Sequence, residues 1–172
     1  MAVTYDKIAT STLTSNQANV TFSSISGSYT DLVLVMSYRS DRASNQSYPN
    51  IRFNSDTGSN YSNTYLYGDG TSAISSRNSN QTALALYEAV GNDATASVFA
   101  PVIVNINNYS NTTTNKNILV RGGSPISGSI VSTQVGLWRS TSAITTILIY
   151  DGNSGTNIFS GSTFTLYGIL KA

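Results

Sequence analysis

Hydrophobic residues along this chain recur at every second position. Ala18, Val20 and Phe22 alternate with polar residues, as do Ile51 and Phe53, then Val131, Val135 and Leu137. Ile144 and Leu148 stand among threonines, and Phe164, Leu166 and Leu170 continue the pattern. A period of two puts successive side chains on opposite faces of a strand, one wet and one buried. The pattern predicts strands at residues 4–13, 17–23, 31–39, 49–54, 63–67, 97–106, 116–121, 129–138, 143–150 and 162–170. Leu32 to Met36 is apolar on both faces, so that strand is central or meets another subunit on its outer side. Pro101 has no N–H to donate, which marks its run as an edge or bulged strand.

Turn signals separate these runs: Ser26-Gly27-Ser28, Asp56-Thr57-Gly58, Gly68-Asp69-Gly70, Gly122-Gly123 and Asp151-Gly152-Asn153. Each offers the positive φ or the side-chain-to-backbone bond that a reversal needs. Residues 82–90 (TALALYEAV) read equally as a short helix or a strand, while 71–81 and 107–115 read as long exposed loops. No linker, repeat or second domain interrupts the pattern, so residues 1–172 are expected to form a single domain. About ten strands without intervening helices make an antiparallel sandwich or barrel. The expected fold is an all-β, antiparallel, jelly-roll-like β-sandwich, with an immunoglobulin-like sandwich as the alternative. Its expected core is Val20, Phe22, Leu34, Phe53, Val135, Leu137, Leu148, Phe164 and Leu166.

Composition sharpens the functional picture. The 172 residues are 40% hydrophobic and only 10% charged, with Ser, Thr and Asn supplying the polarity. Histidine and cysteine are absent and Glu88 is the single glutamate. Ser-His-Asp, Cys-His and His/Cys metal sites are therefore excluded, and a two-carboxylate site would draw on seven Asp and one Glu without suggestive spacing. No enzyme activity, cofactor or metal is expected. A net charge of +1 with scattered Lys and Arg gives no field for nucleic acid. Apolar runs such as 32–36 and 98–104 are too short to span a membrane, and MAVTYDKIATSTLTS does not read as a signal peptide. Absent cysteine fits synthesis in a reducing cytoplasm, and a surface so poor in charge does little to prevent association.

Several residues are candidates for chemistry. Asp151, in Asp151-Gly152-Asn153-Ser154-Gly155, and the Asp56 and Asp69 turns carry oxygen ligands, yet lack the alternate carboxylates and closing Glu of a calcium loop, so they read as turns. Tyr48, Tyr61, Tyr65 and Tyr67 form an aromatic-rich stretch that suits strand pairing, or stacking on a sugar. Trp138 reads as a core plug or rim anchor. Arg39 and Arg42 flank Asp41, and Arg52, Arg77, Arg121 and Arg139 stand alone; surface positions are expected, some facing a neighbour's carboxylates. Asn111-Thr112-Thr113 is a glycosylation sequon with meaning only on a secretory route. No binding residue is assigned.

Four stretches carry a resemblance: FSSISGSYTDLVLV (22–35), FNSDTGSNYSNTYLYGDG (53–70), VGLWRSTSAITTI (135–147) and FSGSTFTLYGI (159–169). Together they resemble a family of small all-β virion proteins of tailed bacteriophages, common in phages of cyanobacteria and other aquatic bacteria. The resemblance runs from about residue 5 onward, with divergence at 71–95 and 107–130. It implies a structural component on the outside of the particle, made in the host cytoplasm, and transfers no functional residue. The leading expectation is a capsid decoration or cement protein, a homo-oligomer (preferentially a trimer) bound to the major capsid protein or another virion protein. A tail-fibre or receptor-binding head recognising host glycan is the second reading, and a glycan-acting enzyme a minor third.

Overall fold

A computed structural model describes residues 4–87, 89–125 and 130–170. Its strands are β1 (Tyr5–Thr12), β2 (Asn19–Phe22), β3 (Asp31–Tyr38), β4 (Gln46–Ser47), β5 (Pro49–Phe53), β6 (Tyr61–Gly68) and β7 (Ala73–Gln81). There follow β8 (Leu84–Ala85), β9 (Ala89–Val90), β10 (Ala100–Asn107), β11 (Lys116–Ser124), β12 (Ile130–Trp138), β13 (Ile147–Asp151) and β14 (Thr163–Ile169). They form an eight-stranded sheet, β1-β14-β3-β10-β11-β12-β6-β7, facing a four-stranded one, β2-β13-β5-β8, with β4-β9 as a separate ribbon. Every strand pair within these sheets is antiparallel.

The first strand pairs with the last, the second with the next to last, and β3 lies between β14 and β10. That winding, β1-β14-β3-β10 over β2-β13-β5-β8, is the jelly roll. The larger sheet then continues past β10 through β11, β12, β6 and β7, which doubles its width. The core between the sheets includes Val20, Phe22, Leu34, Ile51, Phe53, Phe164 and Leu166, all buried. Leu32–Met36 belongs to a central strand, paired on both sides.

The register of β12 overturns part of the expected core. Val135 is 58% exposed and Leu137 half-buried, while Ser132, Gln134 and Gly136 point inward. The inner face of β12 meets β8, the edge strand of the four-stranded sheet, and its flanking residues Ala83–Tyr87, which bring backbone carbonyls together with the Leu84 side chain. Gln134 Nε2 donates to Ala85 O at 2.9 Å and Ser132 Oγ to Tyr87 O at 3.0 Å. A methyl at Gly136 would come within 2.7 Å of Leu84 Cδ1. Polar and small residues belong inside where the covering element brings carbonyls, so the hydrophobic alternation of β12 faces outward. Leu148 likewise turns to the outer side of its sheet, half-buried, while Ile147 and Ile149 face in.

Other differences follow from pairing. Residues 71–81 contain the edge strand β7, and 82–90 hold the short strands β8 and β9 instead of a helix, with Glu88 outside the described residues. Ser129, expected to open β12, also lies outside them. Pro101 lies in an interior strand, opposite Ser37 of β3; its ladder with β11 begins only at Val102, at the strand end where proline is tolerated. Phe164→Ala is expected to cost about 3–5 kcal/mol in chemical denaturation. Val135→Ala is expected to stay within about 0.5 kcal/mol, the behaviour of an exposed position.

Candidate functional site

The turn carboxylates are occupied by their own surroundings. Asp69 Oδ1 accepts from the Thr71 and Ser72 amides, both at 2.8 Å. Asp56 accepts from Gly58 N at 2.8 Å, Asn60 Nδ2 at 2.9 Å and Trp138 Nε1 at 2.7 Å, so the indole is a buried plug tied to a turn. Asp151 is a buried hub. Its Oδ2 accepts from Tyr38 OH at 2.8 Å and from Ser47, its Oδ1 from Asn153 N at 2.9 Å and Thr156 Oγ1 at 2.7 Å. Burial pushes the Asp151 carboxyl up, but the hydrogen bonds from Ser40, Ser47 and Asn153 outweigh it and hold it below the ordinary value. Asp56 behaves alike, with burial opposed by Trp138, Asn60 and Gly58. Among the described residues no three acidic groups gather in a metal-binding arrangement.

Two cations expected at the surface or unremarked in the sequence are buried. Arg39 is 3% exposed and its guanidinium donates to four carbonyls: Thr95 and Val98 at 2.8 and 2.9 Å, Asn92 and Ala94 at 3.0 and 3.1 Å. It fastens the segment between β9 and β10. Lys116 is fully buried, donating to Thr114 O at 2.7 Å and Thr141 O at 3.1 Å, and burial pushes its ammonium below the ordinary lysine value. A fixed fork and a compact ammonium suit such carbonyl clusters, but neither has a sequence signature. Arg42 and Arg139 also donate to carbonyls, of Gln46 and Ser59. Arg52 donates to Thr82 O at 3.0 Å and lies 4.8 Å over the Tyr150 ring.

The tyrosines divide. Tyr61 is buried beside Phe53 and Trp138, its hydroxyl accepting from Phe53 N at 2.9 Å, and burial pushes its pKa up to about 12. Tyr48, Tyr65 and Tyr67 come together, half-buried, with a fourth ring the sequence did not single out. Tyr87 stacks on Tyr65 with centroids 3.8 Å apart and tilts against Tyr48 at 5.8 Å. This ladder lies on the inner side of the widened sheet, next to β8, the edge strand of the smaller sheet.

The opposite side of the same strands is the most exposed apolar surface described. Outward positions across β10, β11, β12, β6 and β7 include Ile103, Leu119, Val131, Val135, Leu137 and Leu66. Val131 is 71% exposed, Val135 58% and Leu66 48%. Arg121 and Arg77 share this face, and no described residue holds either of them. Shallow hollows of about 300 to 430 Å³ lie between these ridges. Sequence alternation marks Val131, Val135 and Leu137 as one face and expects Val135 and Leu137 inside; the structure turns that face outward. No protein-family model matches the chain, and no curated protein matches its sequence.

Two outcomes are expected from this chemistry. Arg39→Lys leaves carbonyls of a buried loop unpaired and should lower stability by about 3 kcal/mol in denaturant titration. For Asp56 and Asp151 the folded pKa lies below the unfolded reference of 3.8, so their stabilisation is present above that value and lost as pH falls through the folded pKa. The melting temperature should hold between about pH 7 and 5 and drop below about pH 4. Asp151→Asn should lower it at neutral pH and flatten the acid drop.

Proposed function

We propose that the chain is a structural protein of a bacteriophage particle, an outer capsid decoration or cement protein bound to the assembled head as a homo-oligomer, most simply a trimer. The observation that carries this reading is the outer face of β10, β11, β12, β6 and β7, a broad apolar surface built on rigid sheet. Contiguous exposed apolar surface on a soluble domain marks a place of contact. Sheet-borne surfaces hold their shape, so contact orders few side chains and little affinity is lost to entropy. Cyclic symmetry presents one such surface several times to a symmetric shell, where modest contacts add through avidity. The resemblance to phage virion proteins supports the same assignment. Asp56, Asp69 and Asp151 serve turns and hydrogen-bond hubs, which suits a building role.

The tyrosine ladder favours a second reading, a tail-fibre or receptor-binding head. Half-exposed tyrosine rings beside Asn78, whose Nδ2 donates to Tyr87 OH at 2.6 Å, are the kind of surface on which a sugar stacks. Quantitative mass spectrometry of purified particles separates the two: hundreds of copies per particle are expected, and a few to dozens would move the protein to the tail. Its absence from the particle would sink both. Light scattering of the isolated protein at micromolar concentration should give three times the 18.3 kDa chain mass. A clean monomer there, with isolated copies on the particle, would remove the oligomer.

A further inference from the structure

We propose that the outer face around Val131 docks a protein partner other than a copy of this chain, one that lays an apolar side chain in each of two troughs and a carboxylate on Arg121. The inference rests on the reading of the chain as a particle-bound structural protein and names the surface and the chemistry that bind it. Val131 is flanked in register by glycines on both sides, Gly68 on β6 and Gly123 on β11. With no side chain in either neighbouring position, it stands as a ridge between two troughs. One, of about 430 Å³, is walled by Leu66 and Ala73; the other, of about 350 Å³, by Pro101, Ile103 and Pro125. Arg121 lines both. Two strand spacings separate the glycines, about 10 Å, which two side chains on one partner surface can span.

Charge decides the occupant. Among the described residues nothing pairs with Arg121 or Arg77. No outward position on β10, β11, β12, β6 or β7 is acidic. A second copy using the same face would bring Arg121 and Arg77 no carboxylate from these strands. Most described carboxylates are already engaged: Asp6, Asp31, Asp41, Asp56, Asp69 and Asp151 each accept hydrogen bonds from their own chain. Asp93 is the one described carboxylate without such a bond. An acid from a different protein, framed by apolar side chains, complements the face. Desolvated in the troughs, an arginine–carboxylate contact is bidentate and directional in a way that the apolar ridge alone is not.

The test is co-sedimentation of the purified protein with particles assembled without it. Wild-type protein should bind, less tightly as salt rises. Arg121→Glu and Val131→Asp should each weaken binding at least tenfold with unchanged melting temperatures, and Arg121→Lys should retain most of it. Thr21→Asp, exposed on the other sheet, should bind as wild type. Equal binding by Arg121→Glu, Val131→Asp and wild type overturns this inference and leaves the particle-bound reading standing. Failure of wild type to bind overturns both. Light scattering supplies the remaining arm: if Arg121→Glu and Asp93→Asn each break the free oligomer into smaller species, the face belongs to contacts between copies and the inference falls.

Discussion

The mismatch in width between the two sheets governs this structure. A four-stranded sheet can cover only half of an eight-stranded one. Where coverage is complete, the interior is aliphatic and aromatic in the ordinary manner, from Leu34 and Phe164 to Ile149. At the edge of the smaller sheet, β8 with its flanking residues Ala83–Tyr87 lies over β12 and β6. Its peptide groups require partners, and Gln134 and Ser132 provide them. Val131, Val135 and Leu137 of β12 and Leu66 of β6 take the outer face, while Tyr61 and Trp138 at the far ends of these strands stay in the core. One geometric shortfall thus yields the polar lining, the tyrosine ladder and the exposed apolar surface.

Scarce charge is used in a consistent way. Arg39 and Lys116 sit inside, facing peptide carbonyls instead of carboxylates. Asp56, Asp69 and Asp151 accept from amides, hydroxyls and an indole. Ionic groups act here as strong hydrogen-bonding partners for loops that the sheets do not order. Arg77 and Arg121 depart from that habit, and they do so on the same face.

Much of the fold was legible because strands announce themselves by alternation and turns by Gly, Asn and Asp. The two apolar faces of Leu32–Met36 left a central strand as one of two readings, which its pairing on both sides fits, and the Asp56, Asp69 and Asp151 turns followed from their chemistry. Alternation gives two faces without naming the inner one, which is why Val135 and Leu137 were placed inside and Ser132 and Gln134 were not. Edge strand β7 escaped notice because AISSRNSNQ is polar on both sides; only pairing with β6 makes it a strand. Buried Arg39 and Lys116 depend on carbonyls that converge from distant loops, a feature no local pattern records. The tyrosine ladder was half visible, since Tyr48, Tyr65 and Tyr67 are close in sequence, but Tyr87 joins them only through the crossing segment.

The closing partnership of first and last strands also shapes how the molecule comes into being. Among the described residues β1 has no sheet partner but β14, and β2 none but β13. Neither sheet is complete until β13 and β14 have been made, and pairing Tyr5 with Ile169 closes a loop that takes in all the strands between them. Pairings so distant in sequence make folding slow. Until then the apolar strands β3 and β10 are available to each other while their covering sheet is missing. Strand-rich intermediates of that kind associate wrongly when concentrated. Pairing of β14 with both β1 and β3 is what withdraws those strands from such contacts.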